Sequence, residues 1–248
     1  MTVQQKLFDF AKKVALPYLL ELEALQPYKD DFDILLVGSV ATGLCSEKSD
    51  VDMCILFNQD IVDEIPILNN WKYGKPSEKI INGKQLHFYA TSLDFIHEKL
   101  EQFDESVFYL YNTSKHLYKG NGGCRQLKEL LELYSSNPER LSISMNKLIS
   151  RRRALGKIFS DSEDPVLRME MGLEIIEHLI RTTAQYDQVG YDRRKRLYQT
   201  GLQGKMGKSI KGDIDVLISL VSHISDCKNF DASKAFEDIV DQCILLIS

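Results

Sequence analysis

Residues 38–52 read Gly-Ser-Val-Ala-Thr-Gly-Leu-Cys-Ser-Glu-Lys-Ser-Asp-Val-Asp, and their order decides the fold. Just before them, Phe32-Asp-Ile-Leu-Leu-Val37 is a short apolar run between Asp30-Asp31 and Gly38-Ser39. Such a run predicts a buried strand. Gly38 allows close backbone approach to a ligand and unusual dihedrals. A helical turn through Val40–Gly43 would direct free N–H groups at an anion, and Ser39 can add its hydroxyl. A second strand, Asp50–Phe57, opens with Asp-Val-Asp. Residues i and i+2 of a strand share a face, so Asp50 and Asp52 set two carboxylates beside the anion-binding turn. Hard oxygen ligands of this kind suit Mg²⁺, and two ions about 3.5–4 Å apart can clamp the attacking and leaving oxygens of a phosphoryl displacement. An isolated Asp-x-Asp is ordinarily a surface pair and a lone Gly-Ser a turn; the combination in this order is specific.

Outward from this segment, apolar residues at three-to-four spacing predict a helix over 3–25, interrupted by Pro17. Residues 79–82 and 85–90 flank Gly83-Lys84 and predict a hairpin. Helices are expected over 93–103 and 105–111. The composition changes at Gly120-Asn-Gly-Gly123, the best candidate linker. Beyond it the pattern is helical: 124–134, 139–160, 165–187, 193–200, 208–224 and 231–247. Asn137-Pro138 and Asp164-Pro165 are favourable helix starts. The expected class is α+β: a small mixed β-sheet domain with flanking helices over 1–122, then an all-α helical bundle over 123–248.

The 248 residues are 44% hydrophobic and 27% charged, values of a soluble globular protein. No apolar run approaches the roughly 20 residues of a membrane span, and the first ten residues lack the layout of a secretory signal. The five scattered cysteines form no CxxC, which points to reduced thiols and a cytoplasmic protein. A net charge of −5 argues against non-specific binding of duplex nucleic acid, which calls for a basic excess.

The segment 38–52 resembles the G-S-x…D-x-D signature of the DNA-polymerase-β-like nucleotidyltransferases. Its flavour, G-S-x-A-x-G…S-D-V-D, is similar to the bacterial branch that holds aminoglycoside and lincosamide nucleotidyltransferases. The resemblance implies that Gly38 and Ser39, with Ser49 of the Ser-Asp-Val-Asp run, hold a nucleoside triphosphate. It also implies that Asp50 and Asp52 bind the metals. The family places a third carboxylate on a later strand. The matching strand here is Gln85–Ala90, and His87 occupies that position. His87 could replace the base, or the acid could come from Glu78, Asp94 or the helical half, or the site could bind nucleotide without turnover.

In the helical half, Glu174, Glu177, His178 and Arg181 share a helix face. Antibiotic-modifying relatives supply a base from this region, which makes Glu174 a catalytic candidate; the bland reading is a salt-bridged surface. Tyr191-Asp-Arg-Arg-Lys-Arg-Leu197 is similar to a family stretch whose lysine faces the triphosphate, which assigns nucleotide contacts to Lys195 and Tyr191. Gly207-Lys-Ser209 ends like a P-loop, but Leu202 stands where its first glycine should be, so no phosphate role is assigned.

The expected activity is metal-dependent transfer of a nucleoside monophosphate, AMP from ATP or another NTP, to a hydroxyl of a small-molecule acceptor, an antibiotic-like compound among the options. The alternatives are a non-catalytic nucleotide-binding or regulatory protein, and a protein AMP-transferase.

Overall fold

The computed structural model describes residues 1–59, 61–73, 75–192, 196–226 and 229–248. It divides into two compact units, Met1–Tyr134 and Ser135–Ser248. The first unit is α+β and the second all-helical, which is the expected fold class.

The first unit opens with α1 (Val3–Phe10), a π-helical turn (Ala11–Ala15), α2 (Leu16–Leu20) and a 3₁₀ segment (Glu23–Tyr28). The interruption expected at Pro17 takes the form of that wider turn. Proline has no N–H to give and crowds the carbonyl four residues back, and a π turn relieves both problems. There follow β1 (Phe32–Val37), α3 (Gly38–Thr42), β2 (Val51–Phe57), α4 (Pro66–Asn69), β3 (Ser77–Ile81), β4 (Lys84–Ser92), α5 (Leu93–Glu101), α6 (Glu105–Asn112), β5 (Lys115–Tyr118) and α7 (Cys124–Ser135). The sheet order is β3-β4-β2-β1-β5. β2 and β4 run parallel, and the other neighbours antiparallel. The hairpin between β3 and β4 turns on Asn82 and Gly83, both at positive φ. Asn-Gly is the pair that tolerates this, and its twist matches the strands.

β1 and β2 read as almost unbroken apolar runs because both faces of the sheet are covered. On one face Ile34, Leu36, Met53, Ile55, Phe57, Leu86 and Phe88 pack with Leu7, Ala11 and Leu19 of the N-terminal helices. On the other, Leu35, Val37, Cys54, Leu56 and Tyr89 pack with Leu93, Phe108, Leu127 and Tyr134 of α5, α6 and α7. The polar exception in β1 is Asp33, 2% exposed. Its two oxygens accept N–H groups from Gly120 (2.9 Å) and Cys124 (2.8 Å). The Gly120–Gly123 stretch is therefore packed against β1 rather than a free tether: a Cβ on Gly122 would lie 2.1 Å from Asp33 N and from Leu56 O. The helix that follows, α7, belongs to the first unit.

The second unit holds α8 (Glu139–Asp161), α9 (Pro165–Tyr186), α10 (Leu197–Gly201), α11 (Lys205–Ser209), α12 (Lys211–Ile224) and α13 (Phe230–Ile247) around one core. The single helix expected over 208–224 is thus two, with the break at Ser209–Lys211. Asp164 caps α9 as anticipated, accepting from the N–H groups of Val166 and Leu167, with Pro165 in the first turn. Arg168, 3% exposed, donates to the carbonyls of Ile224, Phe159 and Ser162. These lie at the C-terminal ends of α12 and α8, where a cation meets unpaired carbonyls and the negative pole of the helix. No helix among the described residues is long and apolar enough to cross a membrane.

Candidate active site

β1 and β2 pair so that Val37 stands opposite Asp52. The residue after Val37 therefore begins its turn against the Asp52 carboxylate. That residue is Gly38, at φ +68°, and a Cβ there would lie 2.4 Å from Asp52 Oδ2. Positive φ and the close approach both require glycine. The turn continues as α3 and closes when Thr42 Oγ1 donates to the carbonyls of Gly38 (3.2 Å) and Ser39 (3.1 Å). Gln4 of α1 props it from behind, donating to Val40 O at 3.2 Å. Ser39 Oγ is buried with no hydrogen-bond partner. A buried hydroxyl left in that state is costly unless a ligand satisfies it.

Asp50 lies one residue ahead of β2, at the end of a loop fixed from two sides. Ser46 N donates to Ser49 Oγ at 2.9 Å, and Lys84 Nζ donates to Glu47 O at 2.8 Å. The parallel pairing of β2 and β4 sets His87 beside Asp52. His87 Nδ1 lies 2.9 Å from Asp50 Oδ2 and 3.4 Å from Asp52 Oδ1. The three residues offer ligand atoms all within 4.8 Å of one another. They are partly open to solvent, with side-chain exposures of 38% for Asp50, 30% for Asp52 and 17% for His87. A cation fits this donor set: two negative carboxylates converge on one point, where either would repel the other without a positive partner.

Of the residues anticipated from the sequence, the structure brings Gly38, Asp50, Asp52 and His87 together, with Ser39 next to Gly38 in the same turn. Ser49 is nearby in sequence, but its hydroxyl closes the 46–49 turn. Glu174 lies on α9 in the second unit, 3.1 Å from Arg151 Nε of α8. Its neighbours Glu177 and Arg181 also pair with each other, so this face is cross-linked by ion pairs. Tyr191 is in the second unit at 3% exposure. Lys195 lies outside the described residues. The P-loop-like Gly207 region is closed to anions: Asp187 accepts the N–H groups of Met206 (2.9 Å) and Gly207 (2.8 Å). Glu78 is one of the sources of the third acid expected from the sequence, with no strand position assigned to it. In the structure it pairs with His87 across β3 and β4, its Oε1 3.6 Å from His87 Nε2. The Asn-Gly turn that fixes this register was the available signal.

The sequence model of the family described as "Poly(A) RNA polymerase, mitochondrial-like, central palm domain" matches residues 1–115, the segment that carries the sheet strands β1–β4 and the whole cluster. Among solved structures, the fold is shared with a nucleotidyltransferase-like protein from Exiguobacterium sibiricum 255-15. The two are 11% identical with a TM-score of 0.50, over 97% of this chain and 75% of that one. No curated protein sequence matches the chain. The family model covers less than half of the chain, and the structural likeness shows a shared nucleotidyltransferase-like fold. Neither singles out the aminoglycoside and lincosamide branch.

Proposed function

We propose that this chain is a divalent-metal-dependent nucleotidyltransferase that moves a nucleoside monophosphate, AMP from ATP, onto a hydroxyl of a small-molecule acceptor. The observation that supports this most is the meeting of the Gly38-Ser39 turn with Asp50, Asp52 and His87 at one end of the sheet. Asp50 and Asp52 would hold the cation, which supplies positive charge to the phosphates and to the pyrophosphate that leaves. Ser39, with its unpartnered hydroxyl, donates to a phosphate oxygen. Gly38 keeps the backbone close enough for that contact. The acceptor hydroxyl attacks the α-phosphorus, the bond to the bridging oxygen of the β-phosphate breaks, and the hydroxyl proton passes to a base or to solvent.

A second reading concerns the acceptor. The family name attached to residues 1–115 is that of an RNA-tailing enzyme, which favours an RNA 3′ hydroxyl. The net charge of −5 weighs against it, because binding to polynucleotide phosphates relies on a basic surface.

The test is incubation of the full chain with Mg²⁺ or Mn²⁺, each α-labelled NTP in turn, and two acceptor sets: aminoglycoside-like polyols and short oligoadenylate. Labelled small product with pyrophosphate release supports the proposal. Label in extended oligonucleotide supports the second reading. Tight nucleotide binding without product on either set, at all metals, refutes transfer and leaves a nucleotide-binding protein.

Gly38→Ala is expected to lower transfer far more than stability. The left-handed φ costs about 1–2 kcal/mol in a non-glycine residue, while the new methyl displaces the Asp52 carboxylate itself. Thermal melts and initial rates on one preparation check this; equal, small losses in both would show that the approach of Gly38 to Asp52 is dispensable.

A further inference from the structure

A row of polar side chains crosses three strands at the site, paired in register as Glu78↔His87 and His87↔Asp52. His87 Nδ1 is 2.9 Å from one Asp50 oxygen and 3.4 Å from one Asp52 oxygen. Atoms bound at about 2.1 Å to one ion are about 3.0 Å apart at right angles and about 3.4 Å apart at tetrahedral angles. The two spacings from Nδ1 match those of atoms sharing a cation, and the three ligand atoms lie within 4.8 Å of one another. The other ring nitrogen, Nε2, is buried with no hydrogen-bond partner, and Glu78 Oε1 faces it at 3.6 Å. Gln85 Nε2 holds the other Glu78 oxygen at 3.2 Å. An imidazole that ligates through one nitrogen donates the other N–H to a carboxylate, carbonyl or water, and this fixes its tautomer and raises its basicity.

We propose that His87 Nδ1 is itself a metal ligand, that Glu78 is its positioning residue, and that the site consequently selects Mn²⁺ over Mg²⁺. This rests on the metal-dependent reading above and adds the identity of the ion. Mg²⁺ prefers oxygen donors and gives up its waters reluctantly. An imidazole nitrogen is a softer donor, and affinity for it rises along the first-row transition series. Mn²⁺ accepts carboxylate and phosphate oxygens as Mg²⁺ does, yet takes nitrogen more readily. The rival arrangement is a protonated His87 that donates to both carboxylates and stands in for the cation.

The experiment uses the full chain and Mn²⁺ alone. Pulsed EPR of bound Mn²⁺ is expected to show ¹⁴N modulation from a directly bound imidazole, lost in His87→Asp while Mn²⁺ stays bound. Equilibrium titrations should give tighter Mn²⁺ than Mg²⁺ binding in the wild type, and a ratio that moves toward parity in His87→Asp. Glu78→Gln should weaken Mn²⁺ binding about tenfold and keep the nitrogen signal. That is the low end of the 10–100-fold range for such partners, because the Glu78 side chain is 62% exposed. Bound Mn²⁺ without nitrogen modulation overturns the proposal, as does Mg²⁺ binding at least as tight as Mn²⁺, or no Mn²⁺ binding at all. The EPR result needs no variant, so misfolding of a mutant cannot mask it. A nitrogen signature in a protein that transfers no nucleotide refutes the enzymatic reading alone; transfer without the signature refutes this inference alone.

Discussion

Asp52→Ala is expected to abolish measurable nucleotidyl transfer while the chain stays folded. Asp52 is 30% exposed and near the start of β2, so its loss opens no buried cavity. It is nevertheless a point at which the β1 turn, β2 and β4 converge: it abuts Gly38, lies beside His87, and offers a ligand atom with Asp50. Removing one electrostatic stabiliser of a transition state commonly costs 10²–10³ in rate, and under the proposed function the loss would also weaken the attachment of the cation. The expected drop is therefore at least about 10²–10³-fold in kcat for labelled AMP transfer. Asp50→Ala should behave alike, and the double variant should be little worse than either single one, because the two carboxylates act as one unit. Activity within tenfold of wild type in both single variants would place the chemistry elsewhere.

Asp33→Ala should give the largest loss of stability with the site chemistry untouched. Its carboxylate is 2% exposed and is the acceptor for two backbone donors, Gly120 N and Cys124 N. Deleting it leaves two N–H groups without a partner in a packed region. At about 1–3 kcal/mol each, the expected cost is about 2–6 kcal/mol. Asp33→Asn keeps the size but turns an NH₂ group toward one of the two donors, so it should fall between wild type and alanine. The single tryptophan, Trp71, is buried in the first unit. Its emission therefore reports on that unit, and the urea midpoint reads the effect. A shift of less than about 0.5 kcal/mol, the scale of ordinary surface changes, would mean that water satisfies those donors.

The strand–turn–strand core of the site was legible because its signals are local. An apolar run closing on Gly-Ser, then Asp-Val-Asp at the start of a second run, predicts both strands and the shared side of the two acids. The hairpin, expected at Gly83-Lys84 and found one residue earlier at Asn82-Gly83, and the long helices α8, α9 and α13 follow equally from turn chemistry, caps and periodicity. What was missed depends on partners distant in sequence. β5, four residues with partly exposed side chains at the sheet edge, carries no alternation that marks a strand. Glycines at 120, 122 and 123 look the same in composition whether they loosen a tether or let backbone pack on backbone; only the contact of Gly122 with Asp33 and Leu56 decides. Asp33 itself hides in an apolar strand, its role set by donors some ninety residues later. Helical spacing correctly grouped Glu174 with Glu177, His178 and Arg181, but the ion pair of Glu174 with Arg151 on α8 needed the tertiary fold. The position of His87 came from the family resemblance laid on a strand that the pattern predicts, while the place of Glu78 behind it needed the β3–β4 register.

The most direct measurement is a crystal structure of the full chain with a non-hydrolysable ATP analogue and Mn²⁺. A phosphate oxygen on Ser39 and an ion bound by Asp50, Asp52 and His87 Nδ1 are expected. Nucleotide bound away from the Gly38-Ser39 turn, or carboxylates that take no ion in its presence, would contradict that expectation.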